Sequence, residues 1–371
     1  RHLADALALE ALANKYLKKF ENTELYDAYY GLVYYPAAAT ANANKLWCYT
    51  ALNQLYAHRG SLLANMYGDL VNEAIEHDRA LTATYNTLGG DLNGKDKWYR
   101  MMVTAPFSYE SVCGVTGHAH LNYSSWNHES SSKIVPTYVQ GVVGSQLIVD
   151  VTGDEAGYSS GTVALPNFYN VNKEAYALTL SNGGGEYLSY EITGVPSWVK
   201  IDGPVKGGFY VSKVLGVSVD WDKVSKDSAG SFKITSGSQT VTVTVNAKVV
   251  KVASGVDKKA AVVLNGEVSV VADAYANKGA SADGTEWTVL ENYGKTGASV
   301  KMLPTYTDDY ASGKGPWIEY KVYVPTGEPS GNYRLTAFFG QSNNISFDEG
   351  NHLNVGLQVN GGTIATKNCL D

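Results

Sequence analysis

Two adjacent pairs of acidic residues are the features of this sequence that could most directly do chemistry. Asp308-Asp309 and Asp348-Glu349 each place two carboxyl groups side by side. Hydrolysis of a glycosidic bond generally uses two carboxyl groups on opposite faces of the sugar, about 5 to 9.5 Å apart. Neighbouring strand residues point to opposite faces, and both pairs lie in stretches rich in Gly, Ser and Asn, which favours solvated loop acids. The sequence therefore predicts no catalytic residue in this chain.

Three histidines close together could indicate a metal site. His118, His120 and His128 supply imidazole groups, which zinc favours as ligands. No aspartate completes a ligand set, so a packing or hydrogen-bonding role is favoured. The sequence also lacks a nucleophile elbow, a phosphate-binding loop and a dinucleotide-binding glycine motif. We therefore expect no metal and no cofactor.

Aromatic residues are the third group with chemical potential, because flat rings stack on the apolar faces of sugars. The chain has 27 Tyr and 7 Trp, and the tyrosines are spread through all regions, which favours packing roles for most of them. Trp287 and Trp317 lie inside strand-like runs, where a core role is the more common one. Tyr306 and Tyr310 lie in a loop and are the candidate sugar or interface contacts.

The composition limits the kinds of molecule that this protein is expected to bind and the compartment in which it works. A formal net charge of −7 with no basic stripe argues against nucleic acid, and no run of eighteen apolar residues predicts a membrane span. Asn122 and Asn344 begin N-glycosylation sequons, which, together with low charge and many small polar residues, predict a secreted or extracellular protein. Three cysteines are too few for a disulfide scaffold. Cys48 and Cys113 are either one bridge or free thiols.

The organisation along the chain changes from helical to strand-like. Residues 1–135 have helix-favouring composition and periodicity, which predict an antiparallel helix bundle followed by an extended loop, with Pro36 ending or kinking a helix. Residues 136–250 alternate with the period of strands and predict a β-sandwich. After a linker, residues 258–371 predict a second β-sandwich that lacks its final strands. The fold class is therefore multidomain α+β, with a helix bundle and two antiparallel β-sandwiches.

Several segments, taken in order, carry a resemblance to one family. The helical part contains Lys-Trp-Tyr-Arg-Met-Met at 97–102 and His-Leu-Asn-Tyr-Ser-Ser-Trp at 120–126, and the β-rich parts contribute segments 197–201, 217–221, 286–304 and 316–324. Together they resemble the C-terminal helical and β-sandwich region of glycoside hydrolase family 115, the xylan α-glucuronidases. The sequence departs from the family pattern at 107–117, which is extra, and at Asn122, which replaces a glycine.

The resemblance implies a function for a larger protein. Family members remove (4-O-methyl)glucuronic acid side groups from glucuronoxylan without an obligatory cofactor, in a (β/α)₈ barrel that precedes this region. It therefore implies that the catalytic region lies outside this chain. The chain would then support the barrel and contribute to a homodimer. His120, Tyr123 and Trp126 fall on the family signature, and we expect them to be structural.

Two other classes of function remain open from the sequence. The same β-modules could build a carbohydrate-binding or cell-surface interaction protein without catalysis. They could also serve only as assembly surfaces. A catalytic barrel encoded in the same protein would favour the glycosidase, and binding of polysaccharide would separate the other two.

Overall fold

The structure is a computed structural model that describes residues 2–89, 135–294, 297–305, 310–329, 331–340 and 353–369. The chain separates into two compact units, Arg1–Val249 (unit 1) and Val250–Asp371 (unit 2). The molecule is mixed α+β, with helices at the N-terminus and several antiparallel sheets after them. The finer division into a bundle and two sandwiches stays a prediction.

The helices of unit 1 follow one another closely. They are α1 (His2–Leu17), α2 (Tyr26–Tyr29), α3 (Tyr35–His58) and α4 (Leu63–Tyr85). Pro36 was expected to end or kink a helix, and no unbroken α-helix runs through this position. Instead a π-helical turn, Tyr30–Tyr34, leads directly into α3, and the N–H of Tyr35 bonds the carbonyl of Tyr30 five residues back. This wider turn precedes the proline, whose missing N–H disturbs an ordinary helical ladder less when it lies in the first turn.

Buried tyrosines form the core where α1 and the π-helical turn meet α3 and α4. Tyr30, Tyr34 and Tyr35 pack with Tyr85 and Leu81. Their hydroxyl groups are satisfied inside the protein: Tyr30 donates to the Leu81 carbonyl at 3.2 Å and Tyr34 to Asn14 Oδ1 at 2.9 Å. Because a buried phenol needs such a partner, these pairs explain part of the tyrosine content as packing.

The described residues of unit 1 contain ten strands after the helices, and these strands make two sheets. They are β1 (Leu147–Val151), β2 (Gly161–Ala164), β3 (Phe168–Tyr169), β4 (Tyr176–Asn182), β5 (Leu188–Thr193), β6 (Val199–Asp202), β7 (Lys206–Phe209), β8 (Ser212–Val219), β9 (Ser228–Ser236) and β10 (Gln239–Lys248). One sheet has the order β1-β4-β8-β6, and the other has the order β2-β10-β9-β5-β7 with β3 also paired to β10. Both sheets send alternate side chains into one continuous apolar core.

The β9–β10 hairpin illustrates how the sequence determines this core. Alternating apolar residues in both strands are buried, and the two-residue loop Gly237-Ser238 joins Ser236 to Gln239. Gly237 has φ of +55°, which the favoured hairpin turns require at this position and which glycine adopts without strain. The predicted antiparallel pairing is not uniform, however. β2 and β3 pair with β10 in parallel, and both lie far from β10 in sequence, so no hairpin joins them to it.

The described residues of unit 2 contain eight short strands, which form four separate two-stranded sheets. They are β11 (Ala261–Val262), β12 (Asn277–Gly279), β13 (Glu286–Glu291), β14 (Ala298–Leu303), β15 (Trp317–Glu319), β16 (Val322–Tyr323), β17 (Asn354–Leu357) and β18 (Ala365–Asn368). β11 pairs with β16, β12 with β15, β13 with β14 and β17 with β18. Among the described residues of this unit, Val263 and Ala276 are the buried apolar side chains.

Candidate functional site

The structure describes two of the candidate site residues, Cys48 and Tyr310. The others lie outside the described residues: Asn122 and Asn344 of the sequons, Cys113, Tyr306, and the signature residues His120, Tyr123 and Trp126. The three histidines and both acidic pairs are also outside them. Cys48 lies half-buried in α3 and is not bonded to a described cysteine. Its pairing with Cys113 therefore stays a prediction.

Tyr310 belongs to a small polar cluster in unit 2. Its hydroxyl donates to Asp283 Oδ2 at 2.7 Å, and Ser281 donates to the other carboxylate oxygen. The backbone N–H of Thr285 also donates to Asp283 Oδ1, at 3.1 Å. These hydrogen bonds, led by those from Ser281 and Tyr310, hold the pKa of Asp283 well below its usual range. Tyr310 thus fixes the Asp283-Gly284 turn, and its ring is half-buried.

Trp317 presents more aromatic surface than Tyr310 does. Its side chain is 50% exposed in β15, although a core role was expected from its place in a strand. The ring lies directly over Gly279 of β12, where an added Cβ would come within 2.4 Å of Trp317 Nε1. Trp287 is half-buried and donates from Nε1 to the Pro316 carbonyl at 3.0 Å. Trp317 is exposed because no described layer covers this face of the β12–β15 pair.

In unit 1, Arg59 joins the end of α3 to the sheet that contains β1. Its Nη1 donates to Asp150 Oδ1 at 3.0 Å, and Nη2 and Nε donate to the carbonyls of Asp154 and Glu155 at 2.6 and 3.1 Å. Both charged side chains are almost fully buried. Burial raises the pKa of Asp150 to about 6, against the opposing effects of Arg59 and Thr179. The helices and the sheet are therefore connected by a buried ion pair.

A second set of contacts fixes the chain that leads from the helices to β1. Asn53 of α3 donates to the Thr137 carbonyl and accepts from the Thr137 N–H, both at 2.8 Å. Asn65 of α4 likewise donates to the Val139 carbonyl at 3.0 Å and accepts from the Val139 N–H at 2.7 Å. Each amide side chain thus replaces a strand partner for the extended backbone. Four hydrogen bonds therefore hold the chain before β1 against α3 and α4.

An open groove lies between the helices α3 and α4 and the sheet that contains β4 and β8. Tyr56, Met66 and Tyr67 line it from α3 and α4, and Thr179, Tyr210 and Ser212 line it from the strands. Every residue that lines the groove is uncharged. Tyr56 and Tyr67 stack with their ring centroids 5.6 Å apart, and Arg59 lies over Tyr56. The groove is therefore aromatic and rich in hydroxyl groups.

The sequence analysis did not identify Asp150 of the junction in unit 1 or Asp283 of the polar cluster in unit 2. Asp150 is the one charged residue in the apolar run Leu147–Val151, and such a residue in a strand signals a buried partner. Asp283 precedes Gly284, and an Asp-Gly pair is a turn signal. The sequence contains both signals, but neither one predicts the distant partner, which is Arg59 for Asp150 and Tyr310 for Asp283. Sequence periodicity cannot supply these long-range pairs.

No group of three or more His, Cys, Asp or Glu residues within the described ranges could hold a metal ion. None of the described helices is long and apolar enough to cross a lipid bilayer.

Comparisons with known proteins place only part of the chain. No curated protein matches it. The chain is similar to a solved ASH/PapD-like domain of human CEP192 (PapD-like domain 7), with 10% identity and a TM-score of 0.20, covering 28% of this chain and 87% of that one. It is also similar to a Bacteroides ovatus GH5 xyloglucanase in complex with a XXXG heptasaccharide, with 12% identity and a TM-score of 0.20, covering 30% of this chain and 21% of that one. These TM-scores are too low to assign a fold.

A family model gives the more specific result. Residues 262–371 match the model described as "Glycosyl hydrolase family 115 C-terminal domain". These residues include Tyr310, Trp317 and the strands β12 to β18 of unit 2. The match confirms the resemblance for this part of the chain and supports its place as a C-terminal region of glycosyl hydrolase family 115.

Proposed function

We propose that this chain is the non-catalytic C-terminal part of a xylan α-1,2-glucuronidase. The whole enzyme would remove (4-O-methyl)glucuronic acid side groups from glucuronoxylan, with its catalytic carboxyl groups in a barrel outside this chain. The observation that carries the proposal is the family match over residues 262–371. Because a shared fold does not establish chemistry, the activity is assigned to the whole enzyme and not to these residues.

The role proposed for the chain itself is support and assembly. Unit 2 leaves large apolar side chains exposed, including Trp317, Leu335 and Phe339. Contiguous exposed apolar surface marks interaction sites in soluble proteins. We propose that these side chains form one patch, which contacts the catalytic region or a second subunit of a homodimer. The junction of unit 1, fixed by Arg59 and Asn53, would hold the helices and the sheets at one geometry.

The proposed setting is extracellular, where glucuronoxylan is found as a polysaccharide substrate. The sequons at Asn122 and Asn344 and the low charge support this setting. Mass spectrometry of the protein from its native source would detect glycans at these two positions.

A direct test is hydrolysis of glucuronoxylan. The purified chain should release no glucuronic acid above a protein-free control, whereas a protein that also carries the barrel should release it. Release by the chain alone would contradict the non-catalytic role. Failure of the longer protein to release glucuronic acid would contradict the glucuronidase assignment.

An alternative function is a carbohydrate-binding or cell-surface interaction protein without catalysis. The half-exposed indole of Trp317 favours it, because such a ring can stack on a sugar. Retention of the chain by glucuronoxylan, lost in Trp317→Ala, in a protein that lacks any barrel would select this alternative.

A further inference from the structure

The groove of unit 1 is lined by aromatic rings and hydroxyl groups for which the proposed support role gives no use. Its walls are the end of α3 and the start of α4 on one side and the segment from Phe209 to Val214 on the other. The hydroxyl groups of Tyr56, Tyr67, Tyr210 and Ser212 donate no hydrogen bond to the residues that the structure describes. Four polar groups are therefore available to a ligand within one apolar groove.

The rim of the groove offers an aromatic surface. Tyr210 is 65% exposed, and the ring of Tyr187 stands edge-on to it with centroids 5.1 Å apart at an interplanar angle of 69°. This edge contact holds the Tyr210 ring without covering both of its faces. The ring is thus positioned for stacking.

A buried carboxylate lies behind the groove, next to the lining residue Thr179. Thr179, which lines the groove, is directly opposite Asp150 across the β1–β4 pair, so the two side chains share one face of the sheet. Asp150 is 5% exposed, and its Oδ2 has no hydrogen-bond partner among the described residues. A buried oxygen of this kind is costly unless a donor reaches it.

We propose that this groove is a binding site for a neutral oligosaccharide. A sugar supplies hydroxyl donors and acceptors for the four hydroxyl groups, which have no partner among the described residues, and an apolar ring face for Tyr210. An acidic sugar fits less well, because the groove has no charged lining residue and the Arg59 donors are already engaged by Asp150, Asp154 and Glu155. A purely apolar peptide would leave the hydroxyl groups that line the groove without partners.

The test is calorimetric titration of the full chain with xylohexaose and, separately, cellohexaose. We expect one of these probes to bind with a Kd at or below about 1 mM. Tyr210→Ala should weaken that binding at least about tenfold, which corresponds to about 1.4 kcal/mol. Tyr293→Ala, which removes a similarly exposed tyrosine from unit 2, should leave the Kd unchanged. Thermal unfolding of each variant verifies that it is folded.

Tyr210→Phe and Ser212→Ala separate stacking from hydrogen bonding. Tyr210→Phe should retain most of the affinity, and Ser212→Ala should lower it by a few fold. Absence of binding by both probes, or equal affinity in Tyr210→Ala, would overturn the proposal. A change from dimer to monomer in Tyr210→Ala by sedimentation would also overturn it and assign the groove to contact between copies. Because no hydrolysis is measured, these outcomes are independent of the glucuronidase assignment.

Discussion

Units 1 and 2 contain similar strand-forming sequences but bury them to different extents. In unit 1, two sheets share a continuous core in which Phe232, Leu178 and Val243 are inaccessible or nearly so. In unit 2, the described apolar side chains that are buried are Val263 and Ala276. An isolated two-stranded sheet is marginally stable in water, and a sheet gains stability from a facing layer. The difference shows that alternation specifies strands, while a facing layer determines whether they form a stable domain.

The comparison also assigns different roles to the two units. Unit 1 has a core of its own and a buried junction between helices and sheet. Unit 2 carries the family 115 match and has apolar surface available for contact. The proposed support function needs both properties. Unit 1 would supply a stable domain, and unit 2 would supply the surface that contacts the catalytic region or a second subunit.

The strongest test of this comparison exchanges one phenylalanine in each unit for alanine. Phe232→Ala removes a fully buried ring from the core of unit 1 and should lower the free energy of unfolding by about 3 to 5 kcal/mol. Phe339→Ala in unit 2 removes a ring that is 54% exposed and should change it by less than about 0.5 kcal/mol. Urea unfolding of the full chain measures both. Equal losses of unfolding free energy in the two variants would show that the two units do not differ in this way.

The junction of unit 1 is tested by removing Arg59. Arg59→Ala leaves Asp150 buried without its cation and removes the bonds to two carbonyls, so we expect a loss of about 3 kcal/mol. The matched control is Lys206→Ala, because Lys206 pairs with Glu191 at 3.7 Å on the surface and should cost less than about 1 kcal/mol. A small effect of Arg59→Ala in urea unfolding would show that the junction is not important for stability.

The same junction should give unit 1 a distinctive pH dependence. The pKa of Asp150 is raised to about 6 in the folded protein, so the folded state binds more protons than the unfolded state between about pH 4 and 6. The contribution of Asp150 to stability is therefore present at low pH and is lost as the pH rises, by about 2 kcal/mol across this window. The stability difference between the wild type and Asp150→Asn, measured at each pH, should fall accordingly. A constant difference would contradict the raised pKa.

The close approach near Gly184 offers a matched pair of glycines in unit 1. A Cβ at Gly184 would come within 2.3 Å of the Gly144 carbonyl oxygen, so Gly184→Ala should cost at least about 1 kcal/mol. The neighbouring Gly185 has open space around its Cβ position, and Gly185→Ala should be within about 0.5 kcal/mol of the wild type. Thermal unfolding distinguishes them, and equal effects of the two variants would show that this turn is adaptable.

The smallest expected effect is local and lies in unit 2. Tyr310→Phe removes one of the hydrogen bonds that lower the pKa of Asp283, so that pKa should rise towards its ordinary value. Tyr293→Phe should leave it unchanged, because the Tyr293 hydroxyl is not bonded to Asp283. Carbon-detected NMR of the carboxyl group during a pH titration follows the change. An unaltered pKa in Tyr310→Phe would place Tyr310 outside the turn cluster and restore it as a contact residue.

Local features of the fold were predictable from the sequence, and pairings were less so. The i, i+3, i+4 apolar spacing from Leu63 predicts the helix that starts there, and the turn residues at Gly237 predict the hairpin. Alternation does not predict strand β1, because helices cover its outer face and all five of its residues are buried. The π-helical turn before Pro36 was not predicted, because it depends on packing among tyrosines.

The candidate site shows the same limit. The sequence identified the aromatic residues of unit 2, but exposure of Trp317 depends on whether another layer covers β15. The partner of Tyr310, Asp283, is distant in sequence and is brought close only by the fold. The groove combines residues from two helices and three strand segments, and no local pattern predicts such a combination.

Hydrogen–deuterium exchange of the full chain tests the central contrast most directly. We expect amides of the β9–β10 hairpin to exchange only with global unfolding and those of β13–β14 and β17–β18 to exchange through local opening, orders of magnitude faster. Addition of the catalytic region should slow exchange in unit 2 alone. Equally slow exchange in both units of the isolated chain would show that unit 2 needs no covering surface and would contradict the account.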